Sequence, residues 1–344
     1  MVPKGTGRSR ASYRRRRRLR GDHRAVVAVV GTLLALLVFF SLFGLFITQY
    51  VPLWMEENES QLSNGLVTSL STLKSGVDDQ YLFGDIPTYS VPFTPSSQSV
   101  PLLSQPTVAT LSYLSGCPNG LYAANGTPER VSACAFETLS YTTTLAGGQR
   151  HSFTQTSTTD YLRVAVPNRY YPAVTYYFED DAVVEAQAQG RQTMLVPPPL
   201  NYTQTLGNLS VASTFLVLLG NATSFSGEGS KDVTSHFYTS TTVSSSGRFL
   251  TAHGVPRPFN VTLTLGVYDM CGWFGYLHNL TAPLGSSALL TWAAGSVAHS
   301  TFPSSSVCQA AASATYMVSL VIYNVHYASV FLAQDALTFN AGGL

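Results

Sequence analysis

The sequence predicts a mainly β protein, an antiparallel β-sandwich ectodomain on a long N-terminal transmembrane α-helix. Three observations carry that prediction. An uncharged apolar run of 23 residues, Ala25 to Ile47, stands behind a tail crowded with arginine. A helical apolar stripe continues beyond it. From about residue 107 the pattern changes to short apolar or alternating runs bounded by Gly, Pro and Asn, which is the signature of strands and turns.

Residues 1–24 hold Lys4, Arg8, Arg10, Arg14 to Arg18, Arg20 and Arg24 without apolar periodicity. They read as a disordered basic cytoplasmic tail or leader. Residues 25–51 read as the membrane helix. At about 1.5 Å per residue, 23 residues cover roughly 35 Å, enough to cross a hydrocarbon core of about 30 Å with some tilt. Lys and Arg favour the cytoplasmic side, and Glu56, Glu57 and Glu59 follow the run, so the N-terminus is expected inside and the rest of the chain outside. The run exceeds a secretory h-region, and Thr48-Gln49-Tyr50-Val51-Pro52 offers no small-x-small cleavage site. Beside such a span, the basic tail reads as topogenic charge on anionic lipid rather than a nucleic-acid arm.

Residues 52–81 read as an amphipathic helix continuing the span. Leu62, Leu66, Val67, Leu70, Leu73 and Val77 share one helical face, with Glu59, Ser63, Asn64, Ser71, Lys74 and Asp78 on the other. A membrane helix followed by an independent juxtamembrane helix would give the same pattern, with Pro52 at the junction. Residues 82–106 are rich in Pro, Ser and Thr and read as an extended linker or covering loop. Residues 107–344 read as the β-rich extracellular domain, with two halves that could meet near 197–200. Val174–Phe178 and Ala182–Glu185 flank Glu179-Asp180-Asp181 as a hairpin. The apolar run Tyr316 to Leu332 is dense in β-branched and aromatic residues, and reads as a buried strand rather than a second span.

The net charge of +1 conceals a split chain. Ten of the 19 Lys and Arg lie in residues 1–24, which leaves nine basic against 17 acidic residues afterwards. An acidic exterior excludes nucleic acid as its partner. Cys117, Cys134, Cys271 and Cys308 are expected to oxidise outside the membrane, as Cys117–Cys134 and Cys271–Cys308 because each pair is close in sequence. Asn58, Asn125, Asn201, Asn208, Asn221, Asn260 and Asn279 each begin an Asn-x-Ser/Thr sequon, and all follow the span, so a glycosylated exterior is expected.

The remaining chemistry is sparse. Glu179-Asp180-Asp181, with Glu185 and Asp160, could in principle hold Ca²⁺, but three adjacent acids at a hairpin tip read more simply as a solvated turn. The histidines are scattered, with no His-x-x-x-His, and no Gly-x-Ser-x-Gly elbow occurs. No catalytic residue, cofactor or metal site is expected. Tyr170, Tyr171, Tyr176 and Tyr177 read as sheet packing, with a glycan-binding face as the functional alternative.

An Arg-rich head, a charge-free helix and an amphipathic continuation into a β-rich exterior resemble the layout of type IV pilin-like proteins, the archaeal ones most. Val29-Val30-Gly31-Thr32-Leu33-Leu34 is similar to the start of many archaeal pilin helices. The resemblance covers roughly residues 14–80. It implies a basic leader cut near Gly21 or Ala25, and like subunits packed through the N-terminal helix. Two features depart from it. Asp22-His23-Arg24 follows Gly21, and residues 26–30 lack the glutamate that many bacterial pilins carry. The expected function is a non-enzymatic, single-pass cell-surface protein, pilin-like, with a place as a minor component of a surface filament. The alternative is a permanently anchored adhesin or receptor that binds a glycan or a surface protein. An extracellular hydrolase is the third and weakest reading.

Overall fold

The computed structural model describes residues 23–84, 87–100, 104–114, 135–144, 150–205, 208–245, 258–294, 297–304, 306–308 and 316–341. Two compact units result, Met1–Pro52 and Leu53–Leu344. Among its described residues the first is helix alone. Its large apolar side chains from Val27 to Ile47 are exposed apart from the half-buried Phe46, and this is the one helix among the described residues long and apolar enough to cross a membrane.

Helix α1 runs His23–Phe83 without interruption. Pro52 lies inside it and has no N–H to give the Thr48 carbonyl, a local loss the helix tolerates. In the second unit its apolar stripe is covered: Leu62, Leu66, Leu70, Leu73 and Val77 are all buried. The opposite face departs from expectation. Glu59, Ser63 and Lys74 are buried as well, because strands and loops cover the helix there too.

The strands follow as β1 (Thr88–Phe93), β2 (Thr110–Leu114), β3 (Ala135–Thr144), β4 (Arg150–Thr159), β5 (Tyr161–Val166), β6 (Val174–Glu179), β7 (Ala182–Gln187) and β8 (Gln192–Val196). Then come β9 (Asn201–Thr205), β10 (Asn208–Leu219), β11 (Thr223–Ser226), β12 (Lys231–Ser245) and β13 (Phe259–Val267). Helix α2 (Met270–Thr281) leads through a short 3-10 turn into β14 (Ala288–Ala294), β15 (Val297–His299) and β16 (Tyr316–Ala341). They build a ten-stranded and a six-stranded sheet, the latter in the order β11-β2-β5-β6-β7-β8. The protein is mainly β and sandwich-like, as the sequence predicts.

One pairing differs from a purely antiparallel sandwich: β10 lies parallel to β16. A parallel pair needs a long crossover, and here β11 to β15 with α2 supply it. The 26-residue β16 organises the larger sheet. Its first part pairs with β13 and β14, its second with β12 and β10. Between them Asn324 takes φ +59, where both the β13 and β10 registers slip. Asn tolerates the left-handed region better than the β-branched residues around it, so the bulge falls there and re-aims the strand.

Two elements contradict the sequence reading. Helix α2 occupies part of the stretch read as strands and turns. Met270, Cys271, Gly272, Trp273, Phe274 and Leu277 are all buried, so no polar face marks its period. Gly272 is required there, since a Cβ would come within 2.6 Å of the Val184 side chain. Strand β1 lies in the stretch read as linker. It pairs with β12 at the sheet edge, and Pro92 is tolerated because an edge strand has one side free of ladder bonds.

Candidate functional site

The second half of α1 carries polar side chains into the protein at three points. Glu59 comes first. Its carboxylate accepts the backbone N–H groups of Arg169 (3.0 Å), Tyr170 (2.7 Å) and Tyr171 (2.7 Å), and the Thr107 hydroxyl (2.5 Å). Burial raises its pKa, but these donors outweigh burial and hold it below the usual carboxylate value. Glu59 thereby fixes two chain segments, around 107 and 169–171, on the helix.

Over the last turns of the helix, Lys74, Asp78 and Tyr81 form the second point. Lys74 Nζ lies 2.7 Å from Asp78 Oδ2 and 3.5 Å from Asp181 Oδ1. The Tyr81 hydroxyl lies 2.9 Å from Asp78 Oδ1 and 3.1 Å from Asp181 Oδ2. At the third point the buried Ser235 hydroxyl meets both Gln80 and Asp335, the latter at 2.6 Å.

Asp181 belongs to the hairpin tip Glu179-Asp180-Asp181. The hairpin β6–β7 forms as the sequence predicts, but the tip is not solvated. These three residues are 0, 1 and 0 % exposed. Asp180 and Asp181 take φ +46 and +57, the two left-handed positions of a tight two-residue turn. The turn is packed against α1 on one side and the start of α2 on the other, so its carboxyls lose water. Glu179 accepts the Trp273 indole N–H at 3.0 Å and the Tyr268 backbone N–H at 3.2 Å. Burial still pushes its pKa up to about 7. Asp180, Asp181, Asp269 and the neighbouring Glu137 of β3 are likewise held well above the ordinary carboxylate value, burial being the largest cause in each. Lys74 opposes the rise at Asp181. Among the described residues, no group of three or more acids, histidines or cysteines is arranged to hold a metal ion.

The other sequence-predicted residues are scattered over the unit. Cys271 and Cys308 form the expected disulfide, which ties the start of α2 to the segment before β16. Cys117 and Cys134 lie outside the described residues, as do Asn125 and Gly21. Ala25 lies in α1. Asn201, Asn208, Asn221, Asn260 and Asn279 are exposed. Asn58 is half-buried in α1, where its amide donates to the Gln98 carbonyl at 3.2 Å. Of the tyrosines, Tyr176 and Tyr177 are buried on opposite faces of β6 and Tyr170 is exposed. The sequence reading missed Glu59, Lys74, Tyr81 and Glu137 as internal groups. The signal for the first three was an acid, a lysine and a tyrosine on a helix followed by far more β-sheet than one apolar stripe could cover.

Comparison with family models, with curated proteins and with solved structures finds no match to this chain.

Proposed function

We propose that this chain is a non-enzymatic, single-pass membrane protein of the cell surface, with its N-terminus in the cytoplasm and its β unit outside, built on the plan of a pilin and serving as a minor filament component. The observation that supports it most is α1. Its first half exposes apolar side chains on every face, which suits lipid or other apolar helices, while its second half is bound into the β unit by both apolar and polar contacts. The exposed sequon asparagines favour a glycosylated exterior, and Asn58, whose amide is already engaged, is expected to stay bare.

A permanently anchored adhesin or receptor is the second reading. It is favoured by a groove where the end of β10 meets β16, rimmed by exposed Leu219 and Tyr238.

Mass spectrometry of the mature N-terminus, from membranes of the native host, separates the two. A start at Asp22 or Val26 means leader removal and supports the filament reading. An intact arginine tail refutes it and leaves the anchored receptor.

A further inference from the structure

We propose that Lys74 of α1 and Asp181 of the β6–β7 turn condense to an intramolecular isopeptide bond, with Asp78 and Tyr81 as the proton relay. The two side chains are sealed from water, at 5 and 0 % exposure, with Nζ 3.5 Å from Oδ1. Oδ1 has no hydrogen-bond partner, so the face of the carboxyl toward the lysine is open.

Proton counting identifies the reactive form. A phenol has one hydrogen to donate, yet the Tyr81 hydroxyl lies within bonding distance of both Asp78 Oδ1 and Asp181 Oδ2. Both contacts are satisfied when one acid carries a proton and donates it to the phenol oxygen, which donates onward to the other. Asp78 is the ionised partner, because the ammonium sits 2.7 Å from its Oδ2. Asp181 is then the neutral acid, which is the electrophilic form. Its surroundings agree: burial raises its pKa against the opposing pull of Lys74, and burial likewise raises the nearby Glu137 and Asp180.

The step balances within these four residues. The Lys74 ammonium gives one proton to Asp78 Oδ2, and the free amine attacks Asp181 Cγ. The Nζ–Cγ bond forms and the Cγ–Oδ2 bond breaks. Oδ2 leaves as water, carrying its own carboxyl hydrogen and a second one from the nitrogen, relayed through Asp78 and the Tyr81 hydroxyl. The amide keeps one hydrogen, and Asp78 ends protonated. No oxidant or cofactor is needed, and the two reacting side chains, Lys74 and Asp181, are themselves buried. Lys74, Asp78 and Tyr81 are spaced four and three residues apart, so one face of α1 presents amine, base and relay together. The product would fasten the helix to the six-stranded sheet covalently.

The test is peptide mapping of the full chain, purified in detergent after reduction of its disulfides. The expected result is a branched peptide joining Lys74 to Asp181, one water lighter than the sum of its two parts. Lys74→Arg abolishes it. Asp181→Asn still yields the same branched product, now by loss of ammonia. Tyr81→Phe keeps the lysine contacts and slows formation about 10²-fold, the size of a lost proton relay. Separate, unmodified peptides containing Lys74 and Asp181 from the wild-type chain, persisting after prolonged incubation from mildly acidic to neutral pH, overturn the proposal. That result does not depend on whether any variant folds.

Discussion

Raising the pH from about 4 to about 8 should destabilise the β unit, and Glu179 gives the size of the effect. Its pKa stands at about 7 in the folded protein, against an ordinary value of 4.5. Below 4.5 the group is protonated whether the chain is folded or not, and the stability linked to its raised pKa is fully present. Above that value the unfolded chain releases its proton while the folded chain still holds it. Stability therefore falls as pH rises, and the loss is complete once pH passes the folded value. At about 1.4 kcal/mol per pH unit, the interval between 4.5 and 7 corresponds to about 3 kcal/mol from this residue alone. Asp180, Asp269 and Glu137 shift in the same direction and add to the loss. Asp181 adds only while it remains a free acid. For a unit of this size, at about 2.1 cal/mol/K per residue, about 3 kcal/mol corresponds to a fall in Tm of about 5 °C. Glu59 acts in the opposite sense. Its pKa is depressed, so its contribution disappears as pH falls through that low value, and a stability maximum on the acid side of neutrality results. The assay is thermal unfolding of the full chain in detergent, followed by circular dichroism across that range, with Glu179→Gln as control. The variant should flatten the decline toward alkaline pH. A wild-type Tm that is level or rising from pH 5 to 8 would mean that the buried acids do not set the pH dependence.

Three further outcomes are expected. Glu59→Ala strands three backbone N–H donors and a hydroxyl and should cost about 3–5 kcal/mol, read by denaturant unfolding, since each buried orphan donor costs about 1–3 kcal/mol; a change under about 1 kcal/mol would mean that water replaces the carboxylate. Reducing Cys271–Cys308, which closes a loop with a sequence separation of 37, should lower stability by roughly 4 kcal/mol on the chain-entropy account, and an unchanged melting curve in reductant would contradict it. Gly272→Ala should destabilise by about 1–3 kcal/mol through overpacking against Val184, and a wild-type Tm for that variant would show that α2 can shift away from β7.

Period and punctuation made much of the fold legible. The stripe from Leu62 to Val77 is buried where the helical spacing put it, and the hairpin around Asp180-Asp181 and the strand from Tyr316 both form. The failures share a cause, which is that local pattern reports one environment per face. Helix α2 is buried nearly all round, so there was no alternation to find. Strand β1 contains Pro92, which vetoes a central strand but not an edge one, and edge position is a property of the whole sheet. The acidic tip looked solvated because acids usually are. Its burial depends on Trp273 and the Tyr268 backbone, some 90 residues downstream.

The polar face of α1 fixes its register, which its apolar stripe alone would not. Leu66, Leu70 and Leu73 could pack on any apolar sheet surface; hydrophobic contact is non-directional and would hold the helix in several registers. Glu59 accepts bonds from residues 107 and 169–171, Tyr81 reaches Asp181, and Gln80 reaches Ser235. These groups are directional and buried, so sliding the helix by one turn would leave several of them unpaired at once, each at about 1–3 kcal/mol. The stripe supplies attraction, and the polar contacts choose the register. Holding the second half of α1 in a single register against the sheets needs the second property as much as the first. Glu59→Gln combined with Gln80→Ala should therefore leave the unit folded but loosen α1. Hydrogen exchange in residues 62–81 would rise while exchange in β13 and β16 stays slow. Equal loosening of both regions would show that helix and sheets unfold as one cooperative block.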